Sequence, residues 1–328
     1  MASMITMFLQ SAYSMIDGLF VSNLIGDTAL SAVNVAWPVI AVVTAIGTGV
    51  GCGGAVMMST KQGEGKNEES NIVRANVILA LLASSIVVTI LFLVLLTPLL
   101  KLMGAEGELL RLSQIYGRVM LTGGVLQILS CGLTPLLRND NRAVSAMMIM
   151  VGGLFANLGL DFVFMYVFHM GIGGAAGASL CAQLFTTVCC LMILCTKKTD
   201  PIRLSQFMIR KEYWKKIFKT AVSPFGISLT PSLLILYHNV ACLKFGGDLA
   251  VNAYALISST VGSYRVLLIG VAEGIQPLAS YAYGAHDFHA IRKIRNKAVI
   301  TAIGVSFFLF IFTIATTRFY PAIYGYEG

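Results

Sequence analysis

Nine long apolar runs follow one another along the chain with only short polar breaks between them, at roughly 1–25, 29–58, 72–99, 109–137, 142–169, 172–197, 214–243, 249–283 and 289–318. Each is long enough to cross the hydrocarbon core of a bilayer, which takes about 20 apolar residues. A run surrounded by lipid must satisfy its own backbone hydrogen bonds, so these segments can only be helices. Composition agrees. Of 328 residues 57% are hydrophobic and 12% charged, about half the charged share of a soluble domain. That balance excludes a soluble enzyme and a disordered chain, and the 32 glycines show no three-residue period. The chain reads as an all-α polytopic membrane protein, with several runs long enough to tilt or protrude. Its first run is no signal peptide, because it lacks a basic leader and Asp17 interrupts it.

The basic residues alternate between breaks. Seventeen fall in one set of loops, including Lys61, Lys66, Arg74, Arg138, Arg142, Lys197–Lys219 and Arg292–Lys297, and four (Lys101, Arg111, Arg118, Lys244) in the other. This bias predicts a multi-pass cell-membrane protein with a cytoplasmic N-terminus. It accounts for the net charge of +8 without a nucleic-acid partner. The longest polar stretch, Lys197 to Lys219, contains Pro201 and reads as a cytoplasmic linker ending in a surface helix around Arg210–Lys219. The expected division is an N-lobe over 1–199, a linker over 200–213 and a partial C-lobe over 214–328.

An internal repeat supports two lobes. At an offset of 221, Ser11 matches Ser232, Gly26-Asp27 matches Gly247-Asp248, and Ala29 and Ala32 match Ala250 and Ala253. Gly49, Gly53, Ser59, Gly63 and Arg74 then match Gly270, Gly274, Ser280, Gly284 and Arg295. Six helices separate the copies, so both have the same orientation in the membrane, as in many secondary transporters. Gly328 corresponds to Gly107, so counterparts of 108–199, three helices, are expected outside the chain. Residues 1–328 alone are then expected not to export.

Three acids lie inside predicted spans: Asp17, Asp161 and Glu273, with Arg265 and His238 as further polar groups. A charged group near the bilayer centre costs about 2.5–3.5 kcal/mol, so each needs a partner, water or a proton. Tyr13 precedes Asp17, and Asn157 precedes Asp161, by four residues, which puts each pair on one helix face. Two such carboxylates near each other suit the uptake of one proton or a small cation. Glu273 could instead pair with Arg265, eight residues away, and His238 could be a packing residue. The glycine-rich Gly47–Gly54 lacks the strand and the Gly-Lys-Ser/Thr of a phosphate loop, so it reads as close helix packing. The seven cysteines have neither Cys-x-x-Cys spacing nor a histidine at ligand distance, so neither a metal nor a disulfide framework is expected.

The chain as a whole resembles the multidrug and toxic compound extrusion family. The resemblance rests on QSAYSMIDGLFV (10–21) with GDTALSAV (26–33), on Asn157-x-x-x-Asp161, and on GVAEGIQPLASYAYGA (270–285), which is similar to the family's G-x-x-x-G-x-Q-P-x-x-x-Y-x-Y-G-A pattern. The resemblance implies a twelve-helix, two-lobe transporter, no cofactor, and efflux of cationic amphipathic drugs by proton or sodium antiport. It also implies a coupling site at Asp17, Asn157, Asp161 and Ser179, with Tyr13 adjacent. A second acidic site is incomplete: Glu273, Arg265 and His238 are what the chain offers for a C-lobe polar site. The expected partners are a small-molecule substrate and membrane lipid, and the full-length protein is expected to be a monomer. Two other functions compete. A flippase of related fold, handling lipid-linked pyrophosphates, would need several inward Arg or Lys, and Arg265 alone qualifies. A membrane-embedded lipid-modifying enzyme would need a nucleophile–base or metal constellation, and the sequence shows none.

Overall fold

The computed structural model describes residues 27–196 and 206–316, together with Leu9. Among these residues there is no strand. The helices are α1 (Asp27–Gly63), α2 (Asn67–Leu102), α3 (Gly107–Thr122), α4 (Gly124–Asn139), α5 (Ala143–Asp161), α6 (Gly171–Cys195), α7 (Lys211–Gly284) and α8 (Phe288–Thr316). A π-helical turn, Phe162–Val167, extends α5. Five helices are long and apolar enough to cross a membrane, and the pair α3–α4, bent by 58°, supplies a sixth candidate. The bend falls at Gly123-Gly124, where a Cβ would overlap the Leu180 and Thr89 side chains. A single straight span over 109–137 is thus replaced by a broken one.

The α1 helix is the packing hub, and the Gly47–Gly54 string explains how. A Cβ at Gly47 would lie 2.7 Å from the Ile128 carbonyl oxygen, and one at Gly51 would overlap Gly132, so this face meets the α4 backbone. Gly49 and Gly53 face Ala221, Phe225 and Ile217 on α7, and Gly54 makes room for Val77 of α2. Small residues let helix backbones approach closely where lipid offers no hydrophobic drive for association. Around this seam Ile40, Met58, Leu81, Leu121, Ile128, Leu133, Leu136 and Leu137 are fully buried. The opposite flank of α2 (Ile86, Val87, Ile90, Val94) is exposed, as an apolar face toward lipid would be.

The sequence predicts two helices over 214–243 and 249–283, whereas helical structure is continuous from Lys211 to Gly284. Yet this element cannot be straight. Ile217 lies against Gly53 and Pro277 accepts a hydrogen bond from Ser59. Those two α7 residues would be about 90 Å apart on a straight helix, while Gly53 and Ser59 are only about 9 Å apart along α1. The rings of His238 and Tyr254 stack with centroids 5.0 Å apart, where a straight helix would separate them by about 24 Å. The chain therefore reverses between His238 and Tyr254. Going from Gly49 to Gly53, contacts on the first arm run backward from Phe225 to Ile217. Going from Ser59 to Gly63, contacts on the second arm run forward from Pro277 to Tyr281. The second arm is parallel to α1, as the sequence repeat requires.

The repeat is also visible in the backbone. The turn after α1 is closed by Glu64 N–H to Thr60 O (3.0 Å), Gly65 N–H to Gln62 O (3.0 Å) and Lys66 N–H to Lys61 O (3.0 Å). Adding 221 to each number gives Ala285 to Tyr281 (2.9 Å), His286 to Tyr283 (3.1 Å) and Asp287 to Ala282 (3.0 Å), and all three bonds are present. Gly65 (φ 75°) and His286 (φ 55°) occupy the same left-handed position that closes many helix C-termini. Asp287 then caps α8 by accepting the Ala290 N–H at 2.8 Å.

Candidate functional site

On α5, four-residue spacing brings Asn157 and Asp161 together. The Asn157 Nδ2 amide donates to Asp161 Oδ2 at 3.1 Å, and the aspartate side of the pair is 0% exposed. The carboxylate stands at the last α-helical residue, and the backbone then widens into the π-helical turn Phe162–Val167. Turns of this kind inside helices occur frequently at functional sites. Phe162 and Tyr166 stack along the turn at 5.0 Å, and Met165 is buried beneath it. Ser179, half-buried on α6, makes no hydrogen bond to the pair. Asp17 and Tyr13 lie outside the described residues. A buried carboxylate held by an amide can take up a proton or contribute oxygen ligands to a small cation, and changing its charge changes the cost of burying it.

A second polar cluster lies at the end of the bundle that carries the α1–α2 turn. Arg74, 1% exposed, places Nη1 3.7 Å from Asp140 Oδ2 and donates to the Leu194 carbonyl at 3.4 Å, while its Nη2 bonds Asn71. Gln62 donates to Asp140 Oδ1 at 3.1 Å. Close by in sequence, Arg138 at the end of α4 meets Glu273 on the second arm of α7, Nη1 to Oε2 at 2.5 Å. Outside the spans, Glu64 is hydrogen-bonded by Lys61 and Lys66, which holds its carboxyl below the ordinary value.

Arg74 and Arg138 therefore do not act as the plain loop charges that their positions suggest; both are buried. Their signals in the sequence are slight. Asn71 precedes Arg74 by three residues, on the same face, and Arg138 directly ends an apolar run. Glu273 takes Arg138 as its ion partner, not Arg265. No ion pair or hydrogen bond joins Glu273, Arg265 and His238 among the described residues. His238 is exposed; its ring meets the Leu234 carbonyl at 2.8 Å and stacks on Tyr254. Among the described residues no group of three His, Cys, Asp or Glu could hold a metal ion.

Long apolar helices built as two parallel repeats, with a buried carboxylate in one span, are features that membrane transporters share. Residues 2–163 and 227–328 match the MatE family model, and the chain belongs to that family of multidrug and toxic compound extrusion transporters. It is 26% identical over 310 residues to the multidrug export protein MepA of Staphylococcus aureus, covering 93% of this chain and 67% of that protein. It superposes with a TM-score of 0.93 and 26% identity on the outward-facing conformation of a multidrug resistance MATE family transporter, covering 99% of this chain and 72% of that one. A transporter from Pyrococcus furiosus, described as having a binding pocket of reverse polarity that suggests a different function, superposes with a TM-score of 0.92 at 25% identity, covering 99% and 72%.

Proposed function

We propose that the protein serves in the export of amphipathic cationic small molecules in exchange for protons, with Asp161 and Asn157 as the coupling pair. Asp17, Tyr13 and Ser179 complete this proposed site. The observation that carries the reading is the fully buried Asp161 carboxylate bonded to Asn157, in a chain whose relatives include multidrug export proteins. Protonation removes the buried charge and changes what the surrounding helices must provide. Drug release and proton entry then become alternatives over one two-state element. A proton is favoured over sodium because a sodium site needs more oxygen ligands than these side chains supply.

The flippase reading is weakened by the same geometry. Arg74 and Arg138, two buried arginines, already face Asp140 and Glu273, so neither is a free cation for a pyrophosphate. The test is dye efflux from cells that lack other exporters, with the complete gene expressed. Asp161→Asn should abolish export while leaving the purified protein's melting temperature near that of the wild type. Undiminished, proton-dependent export by that variant would refute the assignment.

A further inference from the structure

We infer that the crossing of Gly63 with Gly284, together with the Arg138–Glu273 ion pair, is a latch that shuts the two repeats against each other at their basic end and must part for the transporter to open there. The contact is self-complementary. A Cβ at Gly63 would overlap the Tyr281 carbonyl oxygen, and one at Gly284 would overlap the Thr60 carbonyl oxygen. The repeat offset of 221 turns Gly63 into Gly284 and Thr60 into Tyr281, so each half of the contact is the image of the other. This is the geometry of a two-fold interface, with the axis running between the two helices. Each partner belongs to a different repeat, so relative motion of the repeats at this end must change the contact.

Two further links lie beside the crossing. Ser59 donates to the Pro277 carbonyl at 3.1 Å. One turn earlier on the second arm of α7, Glu273 meets Arg138 of the first repeat at 2.5 Å. All three links join α1 or α4 to that one arm. The seam has no interlocking large side chains at the glycines, where backbone lies on backbone. It is therefore suited to parting and re-forming without repacking either repeat. Cys52, the repeat counterpart of Glu273, is 6% exposed in the seam beside Gln276, and so reports on whether the seam is shut.

The inference rests on reading the chain as a transporter, but its test needs neither substrate nor coupling ion, so a failed coupling assignment at Asp161 would leave it standing. The 328-residue chain is purified in detergent and treated with N-ethylmaleimide, and modification of each cysteine is followed by peptide mass spectrometry. Cys190, which is 0% exposed on α6, serves as the internal control. Glu273→Gln should speed Cys52 modification at least tenfold with Cys190 unchanged. Glu273→Asp, which keeps the charge but shortens the reach, should give a smaller acceleration and covers the case in which the first variant does not fold. The exchange Arg138→Glu with Glu273→Arg should restore slow labelling. Gly284→Val, a wedge in the crossing, should behave like Glu273→Gln. An unchanged Cys52 rate in Glu273→Asp and Gly284→Val would overturn the latch. Parallel acceleration of Cys52 and Cys190 would also overturn it, because it would show that the pair serves general stability.

Discussion

The Arg74–Asp140 pair offers the most demanding test of the structure, because both charged groups are buried and face each other. Arg74→Leu keeps much of the side-chain volume but removes the charge. Asp140 would lose its guanidinium partner while the Gln62 amide at 3.1 Å stays in place, and the Leu194 carbonyl would lose the Arg74 donor. At 3.7 Å the attraction between unit charges is about 4.5 kcal/mol for an effective dielectric of 20. Breaking a buried pair by removing one partner costs about 3–5 kcal/mol in measured cases. We therefore expect Arg74→Leu to lose about 3–4 kcal/mol, with some of the deficit offset by the apolar leucine. Adding Asp140→Asn removes the stranded charge, so the double variant should cost about 2 kcal/mol less than the sum of the two single ones, within the range found for contacting residues. The assay is reversible unfolding in mixed micelles, followed by the fluorescence of the two tryptophans, Trp37 and Trp214. Effects that add to within about 0.5 kcal/mol would refute the coupling, as would a single variant with wild-type stability.

Other consequences concern the backbone. Gly51→Ala should lower stability by about 1–3 kcal/mol, since its Cβ would overlap the Gly132 backbone and no side chain can move aside. Gly159→Ala on α5 has open space around the added carbon, and should be neutral or raise stability by up to about 1 kcal/mol through the unfolded state. His286 holds φ at 55°, a conformation that costs a side-chain-bearing residue about 1–2 kcal/mol. His286→Gly should therefore raise the melting temperature, whereas Gly65→Ala, at the repeat-related position, should lower it. Thermal unfolding of the purified protein in detergent distinguishes all four.

What the sequence reveals follows the range of the interactions involved. The spans expected over 72–99 and 172–197 are observed as Asn67–Leu102 and Gly171–Cys195, because apolar run length is a local property. The Asn157–Asp161 pair is equally legible, since four-residue spacing fixes a shared helix face before any tertiary contact forms. The close packing at the Gly123 break is not, because Leu180, the side chain that a Cβ there would meet, lies on a helix far along the chain. Nor is the Arg138–Glu273 pair, whose members are 135 residues apart. Charge counting places Arg74 and Arg138 in loops because a positive-inside bias reads only position along the chain, and burial depends on which acid arrives from elsewhere.

The repeat lies between these extremes, and it accounts for more than the matching letters. Gly65 and His286 are not the same residue, so comparing identities passes over them. Their flanking hydrogen bonds nonetheless coincide, bond for bond, across an offset of 221. A histidine tolerated at positive φ means that the surrounding turn determines the conformation more strongly than the residue does. The turn directly follows Gly63 in one repeat and Gly284 in the other, the two residues where the backbones cross. Its conservation in geometry despite divergence in sequence is what a jointly used crossing requires. If the turn drifted in one repeat, the adjoining helix would enter at a different angle and the self-complementary contact between Thr60–Gly63 and Tyr281–Gly284 would be lost.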